Sequence, residues 1–215
     1  MSFQQKEREK LAELMLEVGP DAPTLCEGWT TYDLAAHLFI REHRTHLEHR
    51  THLAGGYVVS ALKDLTRSAQ EKAKQQESYE HLVNEWAAGP PLHIKPLDSF
   101  MNVSENFIHH EDVRRGSGTV EPREFSRAVE TKLMGAAKMM GKMALTSSDV
   151  PVVLTPPNHP PVTLGGKRGL AEQGDRVVRV KGEPGELLLW VTGRDAVQVE
   201  IEGNEADIQE VKRQF

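Results

Sequence analysis

Glu105 and His109 stand four positions apart, the spacing that returns a helix to the same face. A carboxylate and an imidazole on one helical face can hold a divalent cation if another helix contributes a further donor. Met101, Ile108 and Asp112 share their stripe, so the pair is expected to face the interior. His110 follows directly and is turned away by about 100°. Glu105 and His109 therefore read either as metal ligands or as a buried polar pair. The same Glu-x-x-x-His spacing recurs as Glu42/His46 and Glu48/His52, among Arg41, Arg44 and Arg50. Those neighbours describe a solvated face, and His43, His46, His49 and His52 read as ordinary surface residues. His37 differs, because it lies between Leu34, Leu38 and Ile40. That setting suits a third donor, and it equally suits a satisfied core histidine.

The elements that must carry these residues are helical from residue 1 to about 145. A helix over Gln4 to Val18 places Leu11, Leu14, Met15 and Val18 at spacings of three and four, and Gly19-Pro20 stops it. Thr30-x-x-Asp33 resembles a capping box and opens a second helix that can run to Leu53, before Gly55-Gly56. A third helical stretch covers about Val58 to Lys74, and a short one Tyr79 to Ala87. Asp98 or Ser99 can cap a helix from Phe100 to Arg115, ended by Gly116-Ser117-Gly118, and a last helix is expected from Pro122 to Leu145. Pro151, Pro156, Pro157, Pro160 and Pro161 read as an inter-domain linker or an irregular edge. Beyond them, Arg176–Lys181, Glu186–Thr192 and Val197–Glu202 read as short strands between turn sequences, with a terminal helix from Glu205 to Arg213. The expectation is a mainly α protein: a helical domain over residues 1–147, then a small α+β domain over 148–215. A unit of about 65 residues is near the lower limit for independent folding.

Composition narrows the function classes. With 215 residues, 27% charged and 38% hydrophobic, the chain suits a globular fold. A net charge of −6 without a basic face argues against nucleic acid as a partner. No apolar run approaches the roughly 18 residues of a membrane span, and no secretory leader is visible behind Met1. A single cysteine, Cys26, excludes an internal disulfide and fits a reducing compartment. A cytoplasmic protein with no membrane partner is expected.

Two segments are distinctive. Cys26-Glu27-Gly28-Trp29 with Asp33-Leu34-Ala35-Ala36-His37-Leu38 resembles the C-x-G-W-x-x-x-D-L-x-x-H segment of the DinB-like superfamily, in the branch of mycothiol-dependent maleylpyruvate isomerase and related actinobacterial metal-binding proteins. Glu105 through Val113 resembles that branch's second signature, E-x-x-x-H-x-x-D-[LV]. The run His109 to Arg115 is similar to a subgroup described mainly as metal-binding proteins, and Gly185–Trp190 with Val199–Gly203 is similar to the small C-terminal domain of the same enzymes. The resemblance implies a four-helix bundle that binds metal through His37, Glu105 and His109, and it selects these three over the other Glu/His pairs.

Two imidazoles and one carboxylate suit zinc first, and also nickel, iron(II) or cobalt(II). Three protein ligands are the catalytic pattern, with a further coordination position left for water or substrate. A cation there lowers the pKa of a bound thiol. The resemblance then implies a thiol S-transferase or cis–trans isomerase, with mycothiol as candidate cofactor and a small electrophile as substrate. The alternatives are a metal-binding protein without turnover and a bundle that keeps the fold but binds nothing. Asp33 and Asp112 are candidates to orient the histidines, although Asp33 can simply cap its helix and Asp112 can pair with Arg114 or Arg115. Cys26 reads as a small packed residue, Arg194 as an anion contact or a solvated turn residue, and Trp29 and Trp190 as packing anchors.

Overall fold

The computed structural model describes residues 1–43, 68, 70–89, 101–166 and 176–213. The expected continuation of the second helix to Leu53, with His46, His49 and His52, lies outside these residues. So do the first part of the 58–74 stretch, the 90–96 loop and the Asp98/Ser99 cap. The architecture is mainly helical with one four-stranded sheet. Among the described residues, no helix is long and apolar enough to cross a membrane.

Two compact units divide the chain: Met1–Asn102 with His109–Thr119, and Val103–Ile108 with Val120–Phe215. In the first, α1 spans Phe3–Val18 behind a full capping box between Ser2 and Gln5, and ends at Gly19 with φ 81°. Helix α2, Thr31–His43, begins where the Thr30 N–H donates to Asp33 Oδ2 at 2.9 Å. Residues 70–76 are helical, and α3, Tyr79–Ala88, starts at the capping side chain of Ser78. Helix α4 covers Met101–Arg114. The core of the first unit is built from Leu11 and Met15 of α1, Leu34 and Leu38 of α2, Leu82, Val83 and Trp86 of α3, and Val113 of α4. Removing these side chains from water supplies its main driving force.

One charged pair lies inside this unit. Arg8 of α1 donates to both carboxylate oxygens of Glu42, and its guanidinium stacks 4.8 Å from the Trp86 ring centre. Glu42 is 5% exposed. The expected solvated face is therefore corrected at this position: a helix face rich in charge can still turn one carboxylate inward when a neighbouring helix offers an arginine.

In the second unit, α5 spans Arg127–Ala144. It starts five residues later than Pro122 suggests, because Ser126, with an extended backbone, takes the N-cap position and residues 122–125 are not helical. Strands β1, Val152–Thr155, and β2, Val162–Leu164, pair antiparallel with Val152 opposite Leu164 and Leu154 opposite Val162. The proline-rich segment is thus a hairpin whose second strand is an edge of the sheet, so the edge alternative holds and not the linker. Its prolines fall outside the paired positions, where no backbone donor is needed. Strand β3, Val178–Lys181, runs parallel to β1, and β4, Glu200–Glu202, runs antiparallel to β3, giving the order β2-β1-β3-β4.

Glu186–Thr192, expected as a strand, is corrected to helix α6, Pro184–Val191, with Pro184 in the first turn. Every residue of α6 is buried, so it carries no polar face from which a helical period could be read. A short helix α7, Glu205–Glu210, follows. By packing, α5 groups with this unit. Gly141 explains the placement: a Cβ there would stand 2.4 Å from Leu164 Cδ1 and 3.5 Å from Val191 Cγ1, so α5 lies directly on β2 and α6.

Candidate metal centre

The loop before α2 is fixed to the end of α4 by main-chain contacts. The Leu25 N–H donates to the Asp112 carbonyl at 3.0 Å, and Pro23 bridges Thr30. A Cβ on Gly116 would stand 1.9 Å from the Pro23 carbonyl oxygen, so only glycine permits this approach. The Trp29 N–H donates to the Cys26 carbonyl at 3.0 Å across a turn whose third residue, Gly28, has φ 74°; that left-handed backbone is costly for other residues. Cys26-x-Gly28-Trp29 is thereby a turn that brings Cys26 and Trp29 toward α4 and α2.

His37 of α2 and His109 of α4 stand with ring centres 5.6 Å apart, and Trp29 packs 5.2 Å from the His37 ring. One donor atom each from His37, Glu105 and His109 all lie within 4.8 Å of one another. Glu105 and His109 are one turn apart on α4. His109 is 8% exposed, and His37 and Glu105 are of intermediate burial, with Glu105 Oε2 itself buried.

Burial pushes the His37 imidazole down to about 3, with the neighbouring His109 and Arg41 adding to the shift. The ring is therefore neutral at ordinary pH, the form in which imidazole binds a metal. The Gln70 side-chain amide meets His37 Nδ1 at 3.2 Å, which leaves Nε2 as the outward nitrogen. A half-turn of that amide exchanges its oxygen and nitrogen, so the same contact serves either tautomer. Gln70 is invisible in the sequence as a partner of His37, because 33 positions separate them.

His109 Nδ1–H donates to Asp112 Oδ2 at 3.0 Å, and the Cys26 thiol donates to the same oxygen at 3.3 Å. Asp112 thus takes the orienting contact considered for it. Both arginines of the run donate to Glu111, Arg114 at 2.8 Å and Arg115 at 2.7 Å. Cys26 is half-buried and its thiol is hydrogen-bonded to Asp112, a partner that the reading as a packed cysteine did not include. Its chain separation of 86 residues from Asp112 hid the contact. Cys26, His109 and Asp112 form a second group whose donor atoms lie within 4.8 Å of one another.

His110 points the other way, donating from Nδ1 to Glu7 Oε2 at 2.9 Å. Asp33 caps α2 through Thr30 and accepts from Lys74 Nζ at 2.7 Å. Arg194 donates to the Thr192 carbonyl within its own turn. Trp190 is a buried anchor with Arg213 stacked 5.0 Å from its ring centre. No family model matches the chain, and neither a curated protein nor a solved structure matches it.

Proposed function

We propose that this is a DinB-like, cytoplasmic divalent-metal-binding protein that holds one ion through His37, Glu105 and His109 and uses it to activate a low-molecular-weight thiol. The reaction class is S-transfer to a small electrophile or thiol-assisted cis–trans isomerisation, with mycothiol as the candidate thiol. The observation that carries the reading is the gathering of the three donor atoms within 4.8 Å. Donors around zinc, with bonds near 2 Å, stand roughly 3–4 Å apart, so a small inward adjustment completes the set.

The residues around the triad support the same reading. His37 is held neutral by burial, and its Nδ1 is occupied by Gln70. Asp112 fixes the His109 ring with Nδ1 turned inward, leaving Nε2 for coordination. Bound at this point, a divalent cation supplies the positive charge that lowers the pKa of a thiol. A second reading, metal binding without turnover, draws support from Cys26, whose thiol gathers with Asp112 and His109 in a donor group of its own.

Elemental analysis of untagged protein tests the site: about one ion per chain is expected for the wild type and close to none for His37→Ala or His109→Ala. Rates with electrophilic substrates, with and without metal and mycothiol, test the chemistry. Equal rates throughout would remove the enzyme and leave the binding protein.

A further inference from the structure

We infer that Cys26 Sγ, an Asp112 carboxylate oxygen and His109 Nδ1 form a second cation position, selective for a thiophilic ion such as zinc or cadmium. The three donors come from two segments that the main chain holds together, the turn around Gly28 and the last turns of α4. Their donor atoms lie within 4.8 Å of one another, with Asp112 Oδ2 at 3.0 Å from His109 Nδ1 and 3.3 Å from Cys26 Sγ. Around zinc, with bonds of about 2.0 Å to nitrogen and oxygen and 2.3 Å to sulfur, tetrahedral donors stand roughly 3.3–3.6 Å apart. The two separations from Asp112 Oδ2 are thus within a few tenths of an ångström of that spacing, and the third, between Cys26 and His109, is at most 4.8 Å.

Sulfur, nitrogen and oxygen together favour a borderline or soft ion over magnesium or calcium, which take oxygen donors. Asp112 is fully buried and His109 is 8% exposed, whereas Cys26 is half-buried, so the ion enters from the thiol side. On binding, the thiol proton leaves to solvent and the imidazole proton moves from Nδ1 to Nε2. A neutral His109 then has no lone pair to offer on Nε2, so this position competes with the one that His37 and Glu105 share with the same ring. That competition rests on the proposed reading of the triad. The position itself does not.

Cadmium is the probe. Titrating the metal-free full-length chain is expected to give an ultraviolet thiolate-to-cadmium absorption saturating at about one ion per chain, and to slow alkylation of Cys26 about tenfold or more. Asp112→Asn is expected to weaken cadmium binding, read from that absorption, about tenfold or more. His37→Ala is expected to keep both the absorption and the protection. Absence of the absorption and of protection in the wild type, which needs no variant to fold, would overturn the proposal. So would an unchanged cadmium affinity in Asp112→Asn, which means a thiol binding alone, or loss of the absorption in His37→Ala, which means one merged site. Metal that depends on His37 yet leaves Cys26 fully reactive would keep the triad and discard this position.

Discussion

Asp112 holds its Oδ2 3.0 Å from His109 Nδ1, three residues back along the same helix. A carboxylate in that place fixes the tautomer and the plane of the ring, and raises the basicity of the opposite nitrogen. Asp112→Asn keeps the shape but removes the charge. Zinc affinity, measured by competition with a chromophoric chelator, is expected to fall about 10–100-fold. An unchanged affinity would show that the carboxylate has no part in orienting His109.

The Gly116/Pro23 approach makes a backbone prediction. Gly116→Ala places a methyl group against a carbonyl that no rotamer can move, and is expected to lower stability by about 3 kcal/mol in urea unfolding. Gly193→Ala is the control: its φ is 85° but its surroundings are open, so strain alone should cost about 1 kcal/mol. Equal effects would mean that the loop yields easily.

For the buried Arg8–Glu42 pair, single and double variants should differ in kind. Arg8→Met leaves the Glu42 carboxylate inside the unit without its partner and is expected to cost about 3–5 kcal/mol. Arg8→Met with Glu42→Leu removes both charges, and its stability is expected to return to within about 1–2 kcal/mol of the wild type. Additive losses in the double-mutant cycle would contradict the pairing.

Asp33 gives a pH signature. Burial alone would raise its carboxyl, but hydrogen bonds from Lys74 and Thr30 overcome that and hold it below its ordinary value of 3.8. A depressed carboxylate contributes stability above the unfolded value, and that contribution is lost as pH falls through the folded one. The stability gap between the wild type and Asp33→Asn should therefore be full at neutral pH and shrink below about 4. A gap that widens on acidification would reverse the sign and exclude this account.

The parts of the fold legible in the sequence are those set by local chemistry. Gly19 stops α1, Thr30 and Asp33 open α2, and Gly116 follows α4, all from residues within one turn of the boundary. Helix α6 was not legible, since Leu187, Leu188 and Leu189 are all buried and leave no period to read. The β1–β2 hairpin was hidden by its prolines, which look like a linker until the strand register is known. The spacing of Glu105 and His109 marked the candidate site, but the partners that orient it, Gln70 and Cys26, depend on tertiary contacts that no local pattern encodes.

The seam between Leu25 and the Asp112 carbonyl, with Pro23 lying on Gly116, is made of peptide groups alone. The side chain at position 26 can therefore be exchanged while the loop keeps its path, which Thr24 Oγ1 and Gly28 also hold. Position 26 becomes a socket delivered to a fixed address beside Asp112, and whichever atom it carries, sulfur, oxygen or carbon, decides what that carboxylate meets. Tuning of the ion by evolution or by design has its cheapest handle there.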